Sequence, residues 1–196
     1  DFTTGMVCNQ QLATFTNITS GSGAKIVGYN WSFGEPVSAP NDTSSAKDPV
    51  HMYQGPGSYE VMLTAKNDIG CSDSIRKIIV INGLPAANFK TTLSCAGQAT
   101  AFTDLSTKAG APISSWNWSF YDNMGIIGGK DIQNPDYVFS KPGEYMVQLR
   151  VVDAYGCRDS ISRYISTWDV PESKFTMKEN YNDEQGQLQF TNGSRD

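Results

Sequence analysis

No apolar run in this chain approaches the roughly 20 residues that cross a bilayer as a helix, which excludes membrane insertion by this segment in that form. No signal peptide opens it either, so the sequence reads as a piece of a longer exported polypeptide. Basic clusters are missing too. The 15 Lys and Arg are scattered among 20 Asp and Glu, giving a net charge of −5, and no stripe tracks a phosphate backbone. Nucleic acid is therefore excluded as a partner. Histidine occurs once and cysteine four times, and no segment carries a helical period of apolar residues.

What is present is a repeat. Phe2, Cys8, Phe15, Trp31 and Phe33 recur in order and at equal spacing as Phe89, Cys95, Phe102, Trp118 and Phe120. Tyr59-Glu-Val-Met-Leu63 through Gly70-Cys71-Ser-Asp-Ser74-Ile then recurs as Tyr145-Met-Val-Gln-Leu149 through Gly156-Cys157-Arg-Asp-Ser160-Ile. One residue is lost between the copies after Phe120, which marks a loop tolerant of length change. The chain divides into a first unit at 1–83, a second at 84–169 and the start of a third at 170–196, with Phe175 and Phe190 in the places of Phe89 and Phe102. That third piece stops before its aromatic strand, cannot bury a core alone and is expected to be poorly ordered unless it docks.

A unit of roughly 85 residues buries only about 60 to 65% of its unfolded surface, so a covalent staple is useful. Four cysteines allow three pairings. Equivalence of the copies selects Cys8 with Cys71 and Cys95 with Cys157, each worth roughly 4 kcal/mol on the chain-entropy model. The alternative is four reduced core thiols. Disulfides place the chain outside a reducing cytosol.

Alternation at period two sets the fold class. Tyr145, Val147, Leu149 and Val151 share one face, as do Tyr59, Val61, Leu63 and Ala65, each set forming a long half-buried strand. Gly55-Pro-Gly57 and Lys141-Pro-Gly143 turn the chain before it, and Asn67-Asp-Ile-Gly70 and Asp153-Ala-Tyr-Gly156 turn it afterwards. Tyr29, Trp31 and Phe33, and likewise Trp116, Trp118 and Phe120, have one parity and go to the core. About seven strands per unit predict tandem all-β, antiparallel sandwiches. The links Asn82-Gly-Leu-Pro85-Ala and Trp168-Asp-Val-Pro171-Glu are short and proline-stiffened, which predicts a semi-rigid string of beads.

These motifs resemble a family. Trp31-Ser-Phe-Gly-Glu35, Pro49-Val-His-Met-Tyr53, Pro56-Gly-Ser-Tyr-Glu-Val-Met-Leu63 and Asn67-Asp-Ile-Gly70 are similar to the signature of the polycystic kidney disease (PKD) domain. The second copy matches through Trp118-Ser-Phe120, Pro135-Asp-Tyr-Val-Phe139, Pro142-Gly-Glu-Tyr-Met-Val-Gln-Leu149 and Gly156; Ser32 and Ser119 stand where the family usually has Asp. The resemblance implies an immunoglobulin-like sandwich that serves as a non-catalytic spacer or interaction module on extracellular proteins. The cysteines and the Gly-Cys-x-Asp-Ser ending are most similar to repeats of long bacterial surface proteins, including gliding adhesins and other type IX secretion substrates. Partners would then be other domains of the same chain, an extracellular protein or glycan ligand, or an outer-membrane anchoring or secretion partner.

Individual residues refine this picture. His51 has Tyr137 as its counterpart, so a catalytic or metal role would be absent from the second copy, and a structural one is expected. Glu35, Asp48, Asp122, Asp131 and Asp136 lie in variable loops without EF-hand spacing; solvated loops are the expectation, with no cofactor, and calcium the alternative. Tyr121-Asp-Asn-Met-Gly-Ile-Ile-Gly-Gly-Lys130 is apolar where Gly34–Lys47 is polar, which suggests an edge-covering hairpin and makes Met124, Ile126 and Ile127 the candidate interaction loop, with Trp168 at the joint. Ser74 and Ser160, in Asp-Ser-Ile triplets, are candidate O-glycosylation sites. Asn17, Asn30, Asn41, Asn117 and Asn192 are sequons that matter only on a eukaryotic secretory route. The leading expectation is a surface stalk and adhesion module of the gliding-adhesin type. The alternative is an accessory carbohydrate-binding module of a secreted hydrolase or protease.

Overall fold

The computed structural model describes residues 1–21, 23–38, 40–179 and 188–194. In the first unit the strands are β1 (Phe2–Thr4), β2 (Val7–Cys8), β3 (Leu12–Asn17), β4 (Ile26–Ser32), β5 (Thr43–Ser44), β6 (Val50–Met52), β7 (Gly57–Asn67) and β8 (Ser72–Asn82). They form two facing sheets, β1-β3-β6 and β2-β8-β7-β4-β5. The second unit repeats the plan with β9 (Phe89–Thr91), β10 (Ala99–Asp104), β11 (Ile113–Asp122), β12 (Gly125–Lys130), β13 (Asp136–Val138), β14 (Gly143–Asp153) and β15 (Arg158–Thr167). Its sheets are β13-β10-β9 and β12-β11-β14-β15. One pairing departs from the antiparallel expectation: β2 lies parallel to the end of β8, and a single parallel bridge from Cys95 to Trp168 takes its place in the second unit.

Period two does what the sequence predicts. Val61, Leu63 and Ala65 on β7, and Tyr145, Val147, Leu149 and Val151 on β14, are buried. Trp31 and Trp118 fill the two cores, and each indole N–H donates to a loop carbonyl, Ala46 at 3.0 Å and Ile132 at 2.9 Å, so neither buried donor is orphaned. Phe2, Phe15 and Phe33 surround Trp31 as Phe89, Phe102 and Phe120 surround Trp118. Each such ring contributes roughly 1.5–3 kcal/mol by leaving water. A cation closes each core from outside, since Lys77 lies over the Phe2 ring and Arg163 over the Phe89 ring, both at 5.1 Å, and both donate to the backbone carbonyl of that Phe.

The copies diverge after the aromatic strand. Gly34 has φ +75°, and a Cβ there would sit 2.5 Å from the Glu60 carbonyl oxygen, so only glycine lets the chain leave the sheet at this point. Its counterpart Tyr121 stays in the sheet, paired with Met146, and the chain returns as β12 along the edge of β11.

Beyond the second unit, β16 (Phe175–Glu179) and β17 (Leu188–Asn192) form an antiparallel hairpin. Phe175 and Phe190 are 67% and 62% exposed, whereas the equivalent pair Phe2 and Phe15 lies buried under Trp31. The described part of this tail thus has strand structure with an uncovered apolar face; residues 180–187, on which the expectation of poor order also bears, lie outside the described residues.

Candidate functional site

The most distinctive chemistry is at the joint. Cys8 is disulfide-bonded to Cys157, with Cα atoms 5.6 Å apart, so the bridge links the first unit to the second. This corrects the expected pairing: Cys8 is not bonded to Cys71, nor Cys95 to Cys157, and Cys71 and Cys95 are unpaired thiols. Strand length is the reason. Cys71 immediately precedes β8 and Cys8 lies beside its end at Asn82, and a strand of 11 residues spans roughly 33 Å, at about 3.3 Å per residue. A bridge needs Cα atoms within about 7 Å. Within one sandwich the two cysteines occupy opposite ends, and only stacking the next unit on the Cys8 end brings a Gly-Cys turn to it.

Other contacts support the bridge. The link is fixed to the second unit by reciprocal bonds between Ala86 and Thr107, and Asp159 accepts from the Ala87 N–H at 2.8 Å. Tyr155, beside Cys157, lines a groove with Met6, Val7 and β8 residues of the first unit. Gln10 and Leu84 face Arg150, Arg158 and Ser160 across a second groove. Sequence reasoning missed Tyr155, Gln10 and Leu84. The available signal was Tyr155 itself, an aromatic in the turn where the first copy has Ile69.

His51 is buried. Its ring stacks on Phe33 at 4.4 Å, and Nε2 lies 3.2 Å from Oε2 of buried Glu35. The other Glu35 oxygen accepts from the Gln54 N–H at 2.7 Å. The arrangement is a latch between the loop after β4 and strand β6. Tyr137 replaces it in the second unit, stacking on Phe120 at 3.9 Å and donating to the Ile127 carbonyl at 2.9 Å.

The remaining candidates are dispersed. Met124 is 89% exposed, Ile126 is also exposed and Ile127 less so, all on the β11–β12 hairpin. Trp168 lies beside Cys95, 58% exposed, well away in sequence from that hairpin. Ser74 and Ser160 are exposed on β8 and β15. Asp48 accepts from the Asn17 N–H, Asp122 from Met124 and Gly125, and Asp131 from the Asn117 amide; Asp136 is exposed on β13. Among the described residues no three His, Cys, Asp or Glu side chains gather as a metal-binding group, and no helix is long and apolar enough to cross a membrane.

Comparison with known proteins agrees with the repeat. The PKD domain family matches residues 2–82 and again 82–167. The pre-pro-metalloprotease PrtV of Vibrio cholerae is 30% identical over 149 residues, which cover 74% of this chain but 15% of PrtV. Among solved structures, the PKD1 domain of Vibrio anguillarum Epp covers 45% of this chain and 99% of that domain at 20% identity, with a TM-score of 0.41. The PKD1 domain of PrtV covers 43% of this chain and 98% of that domain at 22% identity, with a TM-score of 0.39.

Proposed function

Because this chain belongs to the PKD domain family, as two copies joined head to tail, we propose that it is a non-catalytic, extracellular spacer in a bacterial cell-surface protein, holding other domains or an adhesive surface away from the cell. The observation that carries this reading is the Cys8–Cys157 bridge, which spans the joint. A bridge inside a unit would stabilise a bead; one between units restricts their relative movement, which is what a spacer under load requires. Such a bond also forms and persists in an oxidising, exported setting. Adhesive contact, in the gliding-adhesin manner expected from the sequence, would fall to the β12 edge with Met124 and Ile126. No cofactor is needed for this role.

Small-angle scattering of the chain, oxidised and then reduced, tests the proposal. An extended particle whose maximum dimension is held by the disulfide is expected. A collapsed or freely swivelling pair of beads in the oxidised state would overturn it.

The 30% identity to a protease precursor favours a second reading, an accessory module of a secreted protease or hydrolase. The chain spans about 15% of the length of that relative, so its activity belongs to the rest of it. A carbohydrate-binding role needs aromatic rings in an exposed row, while Trp31, Phe33, Trp118 and Phe120 are interior. Retention of the chain on insoluble polysaccharide would favour this reading over the spacer.

A further inference from the structure

The two unpaired cysteines are copies of the two that are paired. Cys71 is the counterpart of Cys157, and Cys95 of Cys8. Their local geometry is already that of the bridged pair. Asn67 accepts from the Cys71 N–H at 2.8 Å, and Asp153 from the Cys157 N–H at 2.9 Å. Both turns close with a 2.9 Å bond from residue 67 or 153 to the cysteine carbonyl and carry a left-handed glycine, Gly70 at φ 95° and Gly156 at φ 82°. The acceptor side matches as well. Cys8 bridges in parallel to Asn82, and Cys95 to Trp168; the following N–H donates to that partner's carbonyl, Asn9 to Asn82 at 2.7 Å and Ala96 to Trp168 at 2.8 Å. Only the neighbour differs. Cys157 is fully buried and Tyr155 borders the joint groove, while Cys71 and its neighbour Ile69 are exposed.

We propose that Cys71 and Cys95 are the open halves of two further inter-unit disulfides, Cys71 receiving the Cys8-type thiol of a PKD unit stacked before the first, and Cys95 the Cys157-type thiol of a unit stacked after the second. The inference rests on the spacer reading and specifies its chemistry: one disulfide per joint, in a single register. The partner is recognised by shape and sulfur together, because the unit must stack as the second stacks on the first before its turn cysteine reaches the thiol. Each bridge forms as two thiols release two protons and pass two electrons to an exchanging disulfide, which is itself reduced to two thiols.

The test lengthens the chain by one joint. Residues 1–87, which end at the position preceding Asn88, the counterpart of Asp1, are placed before Asp1 of the full chain, and the product is oxidised with glutathione disulfide. Peptide mapping by mass spectrometry is expected to find the added Cys8 bonded to the original Cys71, with Cys8–Cys157 retained and the added Cys71 open to alkylation. An added Cys8 bonded within its own unit, or an original Cys71 that remains alkylatable, would overturn the proposal. Cys71→Ser in the original first unit of the lengthened chain should leave the added Cys8 free; an added Cys8 still bonded, to any other cysteine, would also overturn the assignment. The map reports the pairing even if scattering shows the oxidised joint to be flexible, so the two readings fail separately.

Discussion

Cys71 and Cys157 end the same turn, built by the same hydrogen bonds, yet one lies open to solvent and the other is fully buried in a bridge. Nothing inside either unit accounts for this. The difference is whether another unit is stacked on that end, so the element that repeats covalently is the joint between sandwiches. The comparison also shows why a small sandwich can carry a cysteine that does nothing for its own core.

The hardest blow to this comparison is Cys8→Ser. Closing a loop across a sequence separation of 149 stabilises the chain by about 5 kcal/mol on the chain-entropy model. Chemical denaturation should show a loss approaching that figure, and Cys157 should become open to alkylation. A loss below about 1 kcal/mol with Cys157 still protected would mean that the joint holds without its disulfide.

Next in size is the core tryptophan of each unit. Trp31→Ala and Trp118→Ala should each cost roughly 3–5 kcal/mol. Because the cores are separate clusters, the loss should appear in the melting of the altered unit first, with hydrogen exchange in the other changing less. Equal loss of protection in both units from either change would show that the bridge makes them one cooperative block.

The latch separates the units more subtly. Glu35→Ala removes the partner of the buried His51 ring nitrogen and the acceptor of the Gln54 N–H, a cost of about 1–3 kcal/mol. Asp122, its counterpart, caps an exposed turn, and Asp122→Ala should cost less, about 0.5 kcal/mol. Equal effects by thermal melting would remove the distinction between a buried latch and a surface turn.

The fold was readable because period two, turn dipeptides and a twice-written aromatic strand all agree. Trp31 and Trp118 went to the core on parity alone, and the structure puts them there. The disulfide was not readable by the same logic. Equivalence of copies is satisfied as well by bonding Cys8 to the next unit's turn as to its own, and the distinction lies in the length of β8, which sets Cys8 and Cys71 at opposite ends. Counting strand residues between Cys71 and Asn82 would have supplied it. The β12 edge was half legible: Gly125, Gly128 and Gly129 suggested a hairpin, but pairing along β11 depends on Tyr121 continuing the strand where Gly34 leaves it. Tyr155 needed the neighbouring unit, which no pattern within one copy contains.

A narrower comparison concerns alkaline pH and a position where the copies differ by one oxygen. Tyr53 donates to the Phe33 carbonyl at 3.1 Å, and its counterpart is Phe139. Burial, followed by the Glu35 and Asp42 carboxylates, holds the Tyr53 hydroxyl well above the ordinary tyrosine range, and burial raises Tyr59 and Tyr137 as well. Above about pH 10 an unfolded tyrosine loses its proton while the folded one keeps it, so this contribution to stability is complete below that pH and falls as pH rises. Tyr53→Phe should therefore lower stability slightly at pH 8, by about 1 kcal/mol for the lost hydrogen bond, and flatten the decline of the first unit between about pH 10 and 11. The second unit, with Phe139 already in place, should keep the decline that Tyr137 gives it. Melting curves across that range with and without the substitution decide the matter, and an unchanged slope in the first unit would assign its alkaline sensitivity to Tyr59.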